Sequence, residues 1–120
     1  MYKRSEKVAE AIHQIVSELL IRGLKDPRIG FVTITGVKMT DDLSMARIFF
    51  SVVGGEEDKK STLAGLQSAA GFIRREVGSH LKLRHVPEIQ FRFDDSLERA
   101  NTIERLLRQI HEESNDPVDS

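Results

Sequence analysis

The sequence predicts one α+β domain, in which helices cover one face of a three-stranded sheet. Apolar residues recur at three- and four-residue intervals in three segments and alternate with polar residues in three others. These segments follow the order helix, strand, strand, helix, strand, helix. A chain of 120 residues, 39% of them hydrophobic, is long enough to bury one core.

The first predicted helix covers residues 5–22. Its apolar positions lie one helical turn apart, at Val8, Ile12, Ile15 and Leu19. Gly23 ends it, because glycine readily adopts the backbone conformation that follows a last helical turn. The connector over residues 25–30 holds a proline and a glycine, and Lys25 and Arg28 make it basic.

Residues 31–39 and 44–53 are predicted to form two strands that pair antiparallel. The apolar positions of the first strand change parity at Gly36, which indicates a β-bulge. In the second strand, alternation places four apolar residues on one face (Ala46, Ile48, Phe50 and Val52) and Met45, Arg47, Phe49 and Ser51 on the other. A third strand follows, with Ile89, Phe91 and Phe93 facing the core. The uncovered face of the sheet is left to solvent or to a partner.

The segment 58–79 is predicted to be helical, with one apolar stripe: Leu63, Leu66, Ala70, Ile73 and Val77. Gly71 follows Ala69 and Ala70, and glycine weakens a helix interior by about 1 kcal/mol relative to alanine. We therefore expect a kink or break at residues 69–71, where Gly71 adopts an unusual dihedral or another backbone passes close by. A second helical piece would then open with Arg74 and Arg75, and free N–H groups beside two arginines favour phosphate.

A last helix is predicted over residues 96–112. Its apolar positions are Leu97, Ala100, Ile103, Leu107 and Ile110. The domain is expected to span residues 1–112 and to be followed by a disordered acidic tail over residues 113–120.

Charge divides the chain unevenly, although its net charge is only −1. Residues 1–95 carry +2 and residues 96–120 carry −3, so a basic face is expected on the body and the acidic end is a poor surface for nucleic acid. The candidate phosphate-binding residues form three groups: Arg74, Arg75, Lys82 and Arg84; Lys25 and Arg28; and Lys3, Arg4 and Lys7.

Several classes of site lack their signatures. The chain has no cysteine, no glycine-rich nucleotide loop, no nucleophile elbow and no zinc-protease motif. Its four histidines lack ligand-like spacing, so no metal or cofactor is expected. No signal peptide or membrane span is found, and a cytoplasmic, monomeric protein is expected.

Several short segments together resemble the ribosome-binding factor A family, over residues 1–112. They are residues 25–30, Gly36-Val37 with Asp42-Leu43, residues 69–74, Leu81 to Arg84, Val86-Pro87-Glu88 and residues 94–97. The order of elements matches the type II KH fold, in which a G-x-x-G loop clamps a nucleic-acid backbone. This chain has no such loop. The family replaces it with an Ala-x-Gly kink, which residues 69–71 match.

The resemblance implies a non-enzymatic assembly factor that binds immature small (30S) ribosomal subunits and 16S rRNA. It also implies a role in rRNA maturation and processing and in growth in the cold. Another assembly factor or a GTPase is a candidate further partner. Binding to a membrane is not expected.

Two other functions are left open by the residues. The near-neutral charge fits a protein–protein interaction module without RNA binding, which would use the open sheet face or the last helix. A metal-dependent nuclease would use either Asp41 and Asp42 or the Asp94-Asp95 pair, although acids at turns and helix starts are far commoner.

Overall fold

A three-stranded sheet with two helices packed on one face forms the body of the protein. The computed structural model describes residues 3–115, with elements α1 (Arg4–Arg22), β1 (Val32–Met39), β2 (Met45–Val52), α2 (Glu56–Leu81), β3 (Glu88–Phe93) and α3 (Ser96–Asn115). β2 is the central strand; it pairs antiparallel with β1 and parallel with β3. The predicted α+β architecture and order of elements are confirmed.

The core lies between the sheet and the two helices, α1 and α2. It contains Ile12, Val16, Leu19, Ile34, Ala46, Ile48, Phe50, Leu66, Ile73, Val77 and Phe91. Phe50 also meets Phe93 edge to face, with ring centroids 5.9 Å apart, a favourable arrangement of two aromatic quadrupoles. Alternation in β2 is confirmed, because the side chains of Ala46, Ile48 and Phe50 are fully buried.

Two glycines act as the sequence predicts. The register of the β1–β2 pair shifts between Ile34 and Gly36, so the predicted bulge is confirmed. Gly23 follows α1 with a φ of 88° and donates its N–H to the carbonyl of Leu20, which ends the helix as expected.

The predicted break in α2 is wrong. The helix runs without interruption from Glu56 to Leu81, and Gly71 is not among the residues with positive φ. A Cβ atom added to Gly71 would meet nothing within 4 Å, so no other segment within residues 3–115 approaches it closely. Arg74 and Arg75 therefore lie inside a helix and not in the first turn of a new one.

The close approach occurs at Gly65, one and a half turns earlier in α2. The connector between α1 and β1 packs there, and a Cβ atom on Gly65 would lie 2.6 Å from Ile29 Cγ1 and 3.3 Å from Arg28 Cβ. Glycine at this position lets the connector lie directly against the helix.

α3 extends away from the body. It continues past the predicted end at residue 112 to Asn115, so residues 113–115 are helical and not part of a disordered tail. Every side chain described from Asp95 to Ser114 is exposed, including Leu97, Ile103, Leu106, Leu107 and Ile110. Residues 116–120 lie outside the described part of the chain.

Asp94, which follows β3, is hydrogen-bonded both to β1 and to the start of α3. Its carboxylate accepts a 2.6 Å hydrogen bond from the Thr35 hydroxyl and another from the backbone N–H of Ser96 at the start of α3. These bonds, that of Thr35 foremost, lower the pKa of Asp94 from 3.8 to about 2, because they stabilise the charged form.

We predict that the two α2 glycines respond oppositely to alanine. Gly71→Ala should raise the free energy of unfolding by up to about 1 kcal/mol, because the site is open and alanine favours helix. Gly65→Ala should lower it by about 1–3 kcal/mol, because its methyl group overlaps the connector. Thermal or urea melts test this pair. A Gly71→Ala protein that is less stable than the wild type would contradict the continuous helix and favour a kink at this position.

We also predict that Asp94 makes the stability of the folded protein fall at low pH. In the folded protein the pKa of Asp94 is about 2, below the usual aspartate value of 3.8. Its contribution to the free energy of unfolding is therefore present above about pH 4 and is lost as the pH falls toward 2. Thr35→Val should flatten the decline of melting temperature over this range. Thr33→Val, on the same exposed side of β1, is the matched control and should follow the wild type. Equal declines in all three proteins would contradict the assignment.

Candidate nucleic-acid interface

The connector between α1 and β1 is a rigid turn. The N–H of Ile29 donates to the carbonyl of Asp26 at 3.1 Å, with Pro27 in the position that suits its fixed φ. The Asp26 carboxylate accepts bonds from the backbone N–H of Arg28 at 2.9 Å and from its guanidinium at 3.0 and 2.6 Å. The Arg28 side chain, foremost among the causes, lowers the pKa of Asp26 to about 2.

Arg28 also fastens this turn to α2. Its guanidinium donates to the Ser68 hydroxyl at 2.9 Å, and its carbonyl accepts a bond from the Ser61 hydroxyl at 3.2 Å. With Gly65 between these two serines, one face of α2 is built to receive the connector. Arg28, predicted as a phosphate contact, therefore has a structural role, while Lys25 is exposed beside it.

A groove of about 510 Å³ lies between the connector and α2. It is lined by Gly23, Leu24, Lys25, Asp26, Ser68, Ala69 and Phe72. The Phe72 ring is 41% exposed, which leaves an aromatic face beside a cation, the combination on which nucleotide bases and phosphates bind. The predicted segment 69–71 thus borders the candidate site, but as part of an unbroken helix.

Arg74 and Arg75 have different roles. Arg74 donates to the carbonyls of Pro87 and Val86 at 3.2 and 3.0 Å and lies 3.5 Å from the Glu88 carboxylate. Arg74, predicted as a phosphate contact, therefore has a structural role, because it holds the α2–β3 connection. Arg75 is exposed and its side chain makes no hydrogen bond or ion pair among residues 3–115, so its charge is available to a ligand.

The remaining candidate cations lie at the other end of the domain. Lys82 caps the end of α2 with a left-handed φ of 49°, and Arg84, which is exposed, follows in the connection to β3. Lys3, Arg4 and Lys7 are exposed around the start of α1, and Lys3 lies 3.9 Å from Asp41. Since α1 rises about 27 Å along its axis, these three residues are not brought together with Lys25.

The acidic pairs do not form a common site. Asp42 accepts hydrogen bonds from Thr40 and Ser44 in the β1–β2 turn, and these bonds, that of the Ser44 side chain foremost, lower its pKa. Asp94 lies at the opposite end of the sheet. Among the described residues, no three histidine, aspartate or glutamate side chains are grouped as metal ligands. No described helix has the length and hydropathy needed to cross a bilayer.

Sequence reasoning missed the residues that position the site. Ser61, Gly65 and Ser68 act only because the connector packs on them, and the role of Arg74 depends on carbonyls 12 and 13 residues away. The spacing of two serines and a glycine along one face of α2 was the one available signal.

Comparisons with known proteins agree with this fold. The family model for ribosome-binding factor A matches residues 4–107. Ribosome-binding factor A of Geotalea daltonii is 57% identical, with 99% of this chain and 97% of that protein aligned. The homologue from Geobacter metallireducens is 60% identical, over 94% of this chain and 96% of its own length.

Solved structures are similar as well. A solution structure of a Thermotoga maritima protein classed with ribosome binding factor A has a TM-score of 0.67 at 33% identity, covering 74% of this chain and 85% of that one. Ribosome-binding factor A from Thermus thermophilus, a crystal structure, has a TM-score of 0.63 at 19% identity, covering 73% and 93%. The fold is accordingly compatible with the KH-like architecture predicted from the order of elements. The chain belongs to the ribosome-binding factor A family.

Proposed function

We propose that this protein is a non-enzymatic assembly factor that binds the immature small ribosomal subunit through 16S rRNA. Family membership over residues 4–107 is the observation that carries the proposal. A related Thermus thermophilus factor, similar in fold, has been fitted into a map of a 30S complex. The proposed factor is a cytoplasmic monomer that promotes rRNA maturation and processing and supports growth in the cold, and another assembly factor or a GTPase would release it.

On the helical side of the domain, we place the contact at the groove between the connector and α2. Phe72 offers an aromatic face, and Lys25 and Arg75 offer charges without ion-pair partners among the described residues. Lys82 and Arg84, which follow the end of α2, would bind phosphates at a distance from the groove. Lys3, Arg4 and Lys7 would form a separate patch at the start of α1. Arg28 and Arg74 position this surface through hydrogen bonds within the protein: Arg28 holds the connector on α2, and Arg74 holds the α2–β3 connection.

The alternative function is a protein-interaction module without RNA binding. The exposed apolar side chains of α3 favour it, since such side chains are the usual material of helix-mediated contacts. The two functions differ in their response to salt. Binding to RNA weakens steeply as counterion release becomes less favourable, whereas binding through an apolar surface does not.

We predict that Arg75→Glu weakens co-sedimentation with precursor small subunits by about 5- to 20-fold and reduces the salt dependence of binding, because one phosphate contact is lost. Lys25→Glu should act similarly. Arg105→Glu, an equal charge change on α3, is the matched control and should bind as the wild type does. Failure of the wild-type protein to pellet with either precursor or mature subunits would contradict the proposal.

A second prediction separates binding from folding. Arg74→Ala should lower the free energy of unfolding by about 1 kcal/mol, because two carbonyls lose a charged donor at a partly exposed site. Arg75→Ala should change it by less than about 0.5 kcal/mol, as for an ordinary surface position. Denaturant melts of the two variants test this. Equal stability of both proteins would show that the hydrogen bonds from Arg74 to the carbonyls of Val86 and Pro87 do not form in solution.

A further inference from the structure

The face of the sheet that points away from α1 and α2 carries an ordered pattern of side chains. Strand register places Gly36, Phe49 and Arg92 in one row across the three strands, and Lys38, Arg47 and Gln90 in the next. Lys38, Arg47 and Arg92 are all exposed, and Phe49 is half-buried. None of the described helices covers this face.

The three cations on this face have no acidic partner among residues 3–115. Lys38 and Arg47 are direct cross-strand partners, an arrangement in which like charges destabilise a sheet. None of the three side chains makes a hydrogen bond or an ion pair among residues 3–115. The carboxylates at the two ends of β3 are already engaged: Asp94 binds Thr35 and Ser96, and Glu88 lies 3.5 Å from Arg74. Repulsion between like charges lowers the stability of the sheet, and such a loss of stability is expected at a site that binds an anion.

Phe49 lies in the middle of these cations. The Lys38 ammonium group is 5.9 Å from its ring centroid. On one side its cross-strand neighbour is Gly36, which has no side chain, and a Cβ atom built there would meet nothing within 4 Å. The ring is therefore open along one flank. An aromatic ring on a sheet surface, with cations around it, is the arrangement on which unpaired bases stack while their phosphates are neutralised.

We propose that this open face is a second RNA site, which takes an unpaired segment of ribosomal RNA. One base would stack on Phe49, and the flanking phosphates would lie against Lys38, Arg47 and Arg92. The proposal rests on the proposed function, because that function supplies the RNA. Charge complementarity selects RNA over a protein here, since the centre of the face presents three cations around a single aromatic ring.

Phe49→Trp gives a direct reporter, because the chain contains no tryptophan. Titration with a nine-nucleotide oligouridine RNA should quench the fluorescence of this variant saturably as a base stacks on the indole. The apparent affinity should fall as salt rises. Fluorescence that does not respond to the RNA would overturn the proposal.

Variants of unlabelled protein then identify the contacts by competition for the same RNA. Phe49→Leu should weaken binding by about 5- to 50-fold, since base–aromatic stacking is lost, whereas Phe49→Tyr keeps the stack and should bind as the wild type does. Arg47→Gln should weaken binding by about 3- to 10-fold. Its melting temperature should not fall, because repulsion by Lys38 is relieved. Weaker binding without lower stability excludes unfolding as the cause. Arg105→Gln is the matched control on α3 and should change nothing.

Co-sedimentation with precursor small subunits distinguishes the two proposals. Loss of subunit binding in both Arg47→Gln and Phe49→Leu, parallel to loss of oligouridine binding, supports a sheet-face contact on the ribosome. Wild-type affinity for both RNA and subunits in these variants would overturn the sheet-face site and leave the proposed function intact. A wild-type protein that binds oligouridine but no subunit would instead contradict the proposed function. Salt-insensitive subunit binding that depends on Phe49 alone would indicate a protein partner and also overturn the site.

Discussion

The alternation of side chains along the central strand β2 is the constraint on which the structure depends. Ala46, Ile48 and Phe50 point into the core and are fully buried, so the helices can pack on one face only. The same alternation turns Arg47 and Phe49 to the other face. A one-residue slip would exchange these two sets. The core therefore fixes both the fold and the cationic face.

The second constraint is the packing of the α1–β1 connector on α2. Gly65 leaves room for the side chains of Arg28 and Ile29. Ser61 donates to the Arg28 carbonyl, and the Arg28 guanidinium donates to the Ser68 hydroxyl. This arrangement sets the width of the groove beside Phe72. An exposed arginine near the groove is therefore not necessarily a ligand contact. Arg28 and Arg74 both use their guanidinium groups to bind other parts of the protein.

Local patterns predicted the order of elements, the bulge at Gly36 and the buried face of β2, because each depends on residues close in sequence. The break at Gly71 was wrong because a helix propensity cost of about 1 kcal/mol is small beside the burial of Leu66, Ile73 and Val77. Which glycine of α2 is approached, and whether the amphipathic α3 is covered, depend on tertiary packing that periodicity does not report. The cations of the sheet face were visible in the alternation of β2 and β3. Their alignment with Lys38, however, required the register set by the bulge.

Directed cleavage of rRNA tests most directly the claim that both faces of the domain contact RNA. The chain has no cysteine, so a single cysteine can carry a tethered iron chelate at one chosen site. Thr33→Cys marks the sheet face, Gln67→Cys the exposed side of α2 next to the groove and Gln109→Cys the far part of α3. All three positions are exposed. On precursor small subunits, the account predicts cleavage of 16S rRNA from positions 33 and 67, at different nucleotides, and little from position 109. Cleavage from position 109 alone, with none from the other two, would contradict it.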